Sequence, residues 1–324
     1  MPIQVARDCA WPMHALPPES GDWAQCLHRT VRAVVGECGL PDDLPAATPL
    51  LVASSSLEVG DEGRTQFGEL GDMQRFADYL AALLYWRGPV FTVSTACTSA
   101  ANALLAAMDL LRNGAATQAL VLGIEFSNRY TLAGFGGMQL LSPDRARPFG
   151  ADRNGLVLGE AVVALRLSTT PSRWRLSGGA NQISGATPTG ADAQAMTAAC
   201  HAALRQAGLA TSDIDLVKPQ ASGSPGNDAI EAEALRDVFS PRLPPMVEFK
   251  SLMGHTLGAS TAAELALLTA CRENGAWPTM RHAPDPALGI TFADRPPARC
   301  RHILLNTIGF GGGHAALLLE DCHA

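Results

Sequence analysis

The feature that most constrains this chain is an alternation of strand-like and helix-like segments that runs through it twice in similar order. In the first half the run PLLVASSS (49–56) reads as a strand, and a variable segment separates it from the β-branched strand FTVST (91–95). The run SAANALLAAMDLLRNGAA follows, with Leu104, Leu105, Met108 and Leu111 at helical spacing and a stop at Asn113–Gly114. ALVLGIEF (119–126) and VLGEAVVALRLS (157–168) close this half. From Trp174 the order repeats. The strand WRLSGGANQIS, the helix AQAMTAACHAALRQAGL and the strand IDLVKPQ lead to the helix NDAIEAEALRDVF. VEFKS, the helix STAAELALLTACREN and the strands HILLNTIGF and AALLLE complete it.

Strands alternating with helices predict a mainly parallel sheet covered by helices. Two such halves in tandem predict an α/β chain folded as a five-layer α-β-α-β-α sandwich, with residues 1–170 and 171–324 related by a pseudo-twofold. The one plausible boundary, TTPSRW (169–174), is short, so a single domain of two halves is expected. Residues 8–22 and 281–298 are rich in proline and polar residues and read as surface connections.

Composition narrows the function classes. A hydrophobic fraction of 47% against 17% charged residues suits helices packed closely on a sheet. The net charge of -7, with no basic run interleaved with aromatics, excludes a nucleic-acid partner. The first twenty residues hold neither a basic n-region nor an apolar h-region, and no segment offers about 18 uninterrupted apolar residues. A soluble cytoplasmic protein without a membrane span is the expectation. The eight cysteines are scattered with no C-x-x-C pair, which implies neither a zinc knuckle nor a disulfide framework. His201, His282 and His302 lack metal-ligand spacing. No metal is implied.

Cys97 is the exception among the cysteines. It lies in VSTACTSAANAL, between a β-branched strand and an alanine-rich helix, which places its sulfur at a helix N-terminus. There the macrodipole favours the thiolate that attacks thioesters. A lone buried cysteine is more often structural, so its setting decides. Five motifs supply that setting: T-A-C-T-S-A around Cys97, R-P-F-x-x-D-R-N-G-L-V-L-G-E (147–160), S-G-S-P-G-N-D-A-I-E-A-E-A-L (222–235), K-S-L-M-G-H-T-L-G-A (250–259) and N-T-I-G-F-G-G-G-H (306–314). In this order they resemble the β-ketoacyl-acyl carrier protein synthase family.

The resemblance implies a thiolase-like fold, a dimer, and condensation between an acyl thioester on cysteine and a malonyl thioester on acyl carrier protein. It implies no bound cofactor, because substrates arrive on the carrier's phosphopantetheine. Cys97 resembles the nucleophile, and the N–H groups of Cys97 and Phe310 resemble the oxyanion hole. Phe310, followed by Gly311, also resembles the gate between loading and elongation. His255 resembles the histidine that stabilises the enolate, Lys250 and Glu231 the ion pair that orders the site, and Ser222 and Ser224 the residues touching phosphopantetheine. Asp228 reads as a capping or salt-bridge residue. GFGGGH is not a dinucleotide fingerprint.

The chain departs from the family at three places. Gln220 stands where the family has its first catalytic histidine, and an amide can donate a hydrogen bond but cannot exchange protons near neutral pH. Related condensing enzymes place an asparagine beside one histidine, so an amide is compatible with chemistry. The N-terminal region and the insertion before Cys97 are short. Gly313–His314 replaces Thr-Asn. These departures favour a synthase-like subunit that pairs with a full-length ketosynthase, as a chain-length factor does, in a fatty-acid or polyketide-type system such as the aryl-polyene kind. A homodimer is the other possible assembly. The rival reading is an active condensing enzyme or acyltransferase using Cys97, His255 and Gln220, and survival of Cys97 supports that one.

Overall fold

The computed structural model describes residues 3–5, 11–16, 23–41, 46–55, 73–185 and 188–324. By its internal contacts the chain forms two units. The first holds Met1–Met138, Leu158–Thr170 and Thr256–Ala266, and the second holds Gln139–Val157, Pro171–His255 and Leu267–Ala324. A cut near residue 170 therefore leaves two segments on the other side: 139–157 belongs with the later residues and 256–266 with the earlier ones.

In chain order the first unit contains β1 (Ile3–Val5), β2 (Pro12–His14), α1 (Trp23–Glu37), β3 (Leu50–Ala53), α2 (Met73–Leu83), β4 (Val90–Val93), α3 (Ser99–Arg112), β5 (Gln118–Glu125), α4 (Arg129–Gly137), β6 (Leu158–Gly159) and β7 (Ala161–Ser168). Its main sheet runs β4-β3-β5-β7, and a small sheet runs β1-β2-β6. Every residue of β5 is buried, as a continuous apolar run demands of a strand covered on both faces. Leu27, Val31 and Val35 of α1 recur at four-residue intervals and pack with Leu50, Val52, Phe76, Leu80, Leu120 and Leu122 into one core.

The second unit contains β8 (Trp174–Ile183), α5 (Ala193–Ala207), β9 (Leu216–Lys218), α6 (Pro225–Val238), α7 (Lys250–Met253), β10 (His302–Gly309) and β11 (Gly313–Asp321). Its sheet runs β8-β11-β10-β9. α8 (Ser260–Asn274) has its first residues in the first unit and its last in the second. α5 is punctuated by its sequence. The Asp192 carboxylate accepts from the N–H groups of Gln194 and Ala195 at 2.9 and 3.1 Å, and Gly208 closes the helix at φ +68°. Met196, Cys200, Leu204, Val217, Leu235, Met246, Leu304 and Leu318 share its core.

The sheets are mixed, which corrects the expectation of a mainly parallel one. β3 pairs in parallel with β4 and β5, but β5 and β7 run antiparallel. β9 and β10 are parallel, while β10, β11 and β8 are antiparallel. The reason is connection length, since three residues between β10 and β11 can make only a hairpin. Two supposed surface connections are also partly interior. Pro12–His14 is a buried strand, and Leu288, Ile290 and Phe292 are buried within 281–298. The rest of 8–22, apart from residues 11–16, lies outside the described residues, as does Ser56 of the predicted strand 49–56. Among the described residues no helix is long and apolar enough to cross a membrane.

A buried carboxyl ties the ends of the first unit's strands together. Glu125, at the last position of β5, is fully buried. Its Oε1 accepts from the Ser55 N–H, from the Ser55 hydroxyl at 2.6 Å and from the Gly258 N–H at 3.1 Å. Burial raises it to about 7, against the lowering effect of those hydrogen bonds. The folded state therefore binds this proton more tightly than the unfolded chain. Its stabilising contribution is full below the ordinary value of 4.5 and is lost as pH rises through about 7. Glu125→Gln keeps the shape and removes the titration. Denaturant unfolding at pH 5 and pH 8 is expected to show wild type losing on the order of 3 kcal/mol more than the variant. Equal losses would mean that Glu125 stays ionised in the fold.

Candidate active site

The nucleophile candidate sits on a braced turn of the first unit. β4 ends at Val93, α3 begins at Ser99, and Cys97 lies between them, 4% exposed. Ala96 has φ +51°, a left-handed conformation that costs a non-glycine residue about 1–2 kcal/mol. The first turns of α3 hold it there. Ser99 Oγ accepts from the Thr95 N–H at 2.9 Å and donates to the Ala96 carbonyl at 2.6 Å. The Thr98 hydroxyl donates to the Thr95 carbonyl at 2.6 Å, and Asn102 Nδ2 donates to Thr95 Oγ1 at 2.9 Å. The spacing of Thr95, Thr98, Ser99 and Asn102 thus encodes the turn. The result is a sulfur just ahead of a fourteen-residue helix, on the positive side of its macrodipole.

In the second unit two acids on one face of α6 organise the segment that precedes it. Glu231 accepts the N–H of Gln220 at 2.6 Å on one oxygen and that of Ala221 at 2.9 Å on the other. Asp228 accepts the N–H groups of Ser222 and Gly223 at 3.1 Å each, and that of Phe149 at 2.7 Å. Asp228 is therefore not a surface cap; its side chain is fully buried. Burial raises the pKa of both acids. Ala221 (φ +52°) and Gly223 (φ +84°) are both left-handed. A Cβ on Gly223 would stand 2.7 Å from the Gly155 carbonyl, so glycine is required there.

Gln220 is 4% exposed, and its Oε1 has no hydrogen-bond partner among the described residues. The Ser222 hydroxyl donates to Asp228 at 3.1 Å and accepts the Ser224 N–H at 3.2 Å, while Ser224 is the half-buried N-cap of α6. His255 is buried, with its N–H on the Val157 carbonyl at 2.7 Å. Burial first, then the charges of Lys250 and Lys218, hold its imidazole well below the usual range and therefore neutral. Phe310 is half-buried at the start of the turn between β10 and β11, and the next residue, Gly311, donates its N–H to Pro188 at 2.7 Å. Cys97 belongs to the first unit; Gln220, Glu231, Lys250, His255, Phe310 and Gly311 belong to the second.

Lys218 is the residue that sequence reasoning missed. Fully buried at the end of β9, it donates to the Asn306 carbonyl at 3.2 Å, and Asn306 Nδ2 donates to Glu231 at 2.6 Å. Against burial, the N–H groups of Ala221 and Gln220 and the Asn306 amide pull the Glu231 pKa back down, followed by the charge of Lys218, which also acts on His255 together with Lys250. The signal was present in the sequence. A lysine ending an apolar strand is rarely buried without a partner, and it stands two residues before Gln220. Among the described residues no group of histidine, cysteine, aspartate and glutamate side chains could hold a metal ion.

Comparison with known proteins gives consistent matches. Residues 61–172 match the model of the β-ketoacyl synthase N-terminal domain, and residues 175–283 match that of its C-terminal domain. Nodulation protein E of Rhizobium sp. (strain N33) is 33% identical over 253 residues, covering 72% of this chain and 62% of that protein. A putative polyketide β-ketoacyl synthase 1 of Streptomyces cyaneus is 32% identical over 260 residues, 72% of this chain and 61% of that one. The chain thus spans about 62% of the length of the first of these relatives. Among solved structures, a ketosynthase (ApeO) in complex with its chain length factor (ApeC) from Xenorhabdus doucetiae matches with TM-score 0.80 and 23% identity, covering 96% of this chain and 87% of that one. The ishigamide ketosynthase/chain length factor matches at 0.79 and 24%, covering 90% and 80%. At this identity the likeness establishes the fold, the thiolase-like α/β fold that the motifs imply.

The thiols separate by environment. Burial lifts Cys200 to about 12 and Cys300 to about 11, and it raises Cys38 and Cys271 as well. Iodoacetamide at pH 7, mapped by peptide mass, is expected to label Cys97 ahead of the others and to leave Cys200 and Cys300 unmodified. Equal labelling of Cys97 and Cys200, or labelling of the exposed Cys322 alone, would remove Cys97 from the site.

Proposed function

The chain belongs to the β-ketoacyl synthase family, and from that premise we propose that it is a ketosynthase-like subunit of a fatty-acid or polyketide-type assembly system, paired with a complete ketosynthase as a chain-length-factor-like partner. An aryl-polyene system is the specific case proposed. The carrying observation is Gln220. The backbone at this position is locked by Glu231, and the side chain is an amide where the family has an imidazole. The other candidate, His255, is neutral. The pair can hydrogen-bond a thioester carbonyl or a developing enolate, but residue 220 cannot move a proton. The outer edge of β4 is the proposed docking edge: among the described residues β4 pairs only with β3, and its Phe91 is 44% exposed.

One observation favours a second reading, an acyltransferase acting by itself. The turn around Cys97 keeps its strained residue and all four bracing side chains, which a dead site has no reason to retain. In that role Cys97 would take an acyl group from carrier-bound phosphopantetheine, with Ser222 and Ser224 beside the arm. Both readings expect Cys97 to acylate, and they part at decarboxylation.

Gln220→His restores the second imidazole. Carbon dioxide release from malonyl-acyl carrier protein is expected to rise, within the roughly 10²–10⁴-fold that a general acid–base group contributes. Acyl loading on Cys97, read by intact mass, should change little, and Cys97→Ala is the control. A wild-type rate matching that of complete ketosynthases would favour the second reading. A folded variant that acylates but gains nothing would show that pocket shape or a missing partner limits the reaction.

A further inference from the structure

The turn Phe310–Gly312 is tied to the connection between β8 and α5 by a closed set of hydrogen bonds. Ser184 N–H donates to the Gly312 carbonyl at 2.9 Å, and Gly311 N–H donates to the Pro188 carbonyl at 2.7 Å. The approach is so close that a Cβ on Gly312 (φ +78°) would stand 1.7 Å from the Ser184 carbonyl oxygen. His314, the first side chain after the turn, is fully buried and bridges the same parts. Its Nδ1 lies 2.9 Å from the Gly312 carbonyl, and its Nε2 lies 3.0 Å from the backbone N of Asp192, the N-cap of α5.

These contacts determine the tautomer. A carbonyl can only accept and a backbone N–H can only donate, so Nδ1 carries the proton and Nε2 is bare. A second proton would sit on Nε2 facing the Asp192 N–H, and that bond would be lost. We propose that His314 is a positioning residue: its neutral imidazole latches the Phe310–Gly312 turn to the N-terminus of α5, and protonation releases the latch. No nitrogen of the ring is left over for another role.

The surroundings give the direction of the switch. On β8 the residue paired with His314 is Gln182, and on β10 it is Ile308, so neither cross-strand partner is charged. α5 offers Asp192, whose carboxylate is already committed to the N–H groups of Gln194 and Ala195 and to the Ser184 hydroxyl. Those bonds hold Asp192 low and ionised. Burial pulls the His314 imidazole down from 6.5, and the Gly312 hydrogen bond and Asp192 only partly offset it. Because the folded value lies below the unfolded one, the latch is complete above 6.5 and fails as pH falls through the lower folded value. That Phe310 serves acyl transfer rests on the proposed function; the latch itself does not.

Two measurements on the full chain test this. Ring ¹⁵N spectra of the wild type at pH 7.5 should show one histidine as the Nδ1–H tautomer, identified by its loss in His314→Phe. Amide-exchange protection at Ser184, Asp192 and Gly311 should fall roughly fivefold or more in His314→Phe at pH 7.5, and in wild type it should decline progressively as the pH is lowered below 6.5. Protection at Leu304 and Leu318, in β10 and β11, should hold. An Nε2–H tautomer, or unchanged protection at Asp192 in a folded variant, would overturn the latch. Should Cys97 fail to acylate in every variant while the exchange pattern appears, the functional reading falls and the latch stands.

Discussion

Four consecutive backbone N–H groups, from Gln220 to Gly223, end on two carboxylates one helical turn apart on α6, and the shape of the segment that carries Gln220 depends on that arrangement. Asp228 and Glu231 are both buried, and each buried carboxylate costs several kcal/mol of lost hydration. Hydrogen bonds to a charged group contribute about 1.5–3 kcal/mol apiece and offset part of that cost, though burial still raises both acids. The same bonds hold the left-handed Ala221 in place, a conformation worth about 1–3 kcal/mol of strain. Lys218 completes the balance by opposing the burial of Glu231. Remove either acid and the segment loses its shape along with its charge.

This lock acts on the backbone of residue 220 and makes no bond to its side chain. Glu231 binds the Gln220 N–H, which any residue but proline supplies, so an exchange of imidazole for amide leaves the local structure intact. Such tolerance allows a family scaffold to change its chemistry by one side chain without refolding the segment. The Cys97 turn is braced separately, by hydroxyls and an amide from α3 itself. The Cys97 turn and the Gln220 segment thus rest on different helices and different bonds, and one can be altered while the other is kept.

The sequence made the long periodic elements legible. β5, α3, α5, α6 and β10 lie within a few residues of their predicted bounds, because continuous apolar runs and helical spacing report burial directly. Strand direction was not legible, since it depends on which strands become neighbours and how short the link between them is. No element was predicted before residue 49, yet α1 carries the stripe Leu27, Val31, Val35. β2 was hidden by Pro12 and by having only three residues. Motif order singled out Cys97, Gln220 and His255 as candidates. The left-handed Ala96 and the burial of Lys218 were missed, because both depend on contacts that residue type alone does not specify.

The electrostatics of the second unit show what its geometry is suited to do. Burial first, then the ammonium charges of Lys250 and Lys218, keep His255 neutral, so the imidazole offers a hydrogen-bond donor and carries no charge. Gln220 adds an amide. A pair of neutral groups can orient a carbonyl and stabilise charge that develops on it, an effect that fixed donors supply at about 10²–10³-fold apiece. Neither group is poised to take and return a proton near neutral pH, because one is an amide and the other titrates too low. Loading an acyl chain onto a thiol needs mainly the first capability, whereas generating a carbanion from a malonyl thioester benefits from both. A subunit that binds and measures a chain while its partner performs the condensation would need only the first, and the replacement of one imidazole in an otherwise intact lock is the smallest change that separates the two.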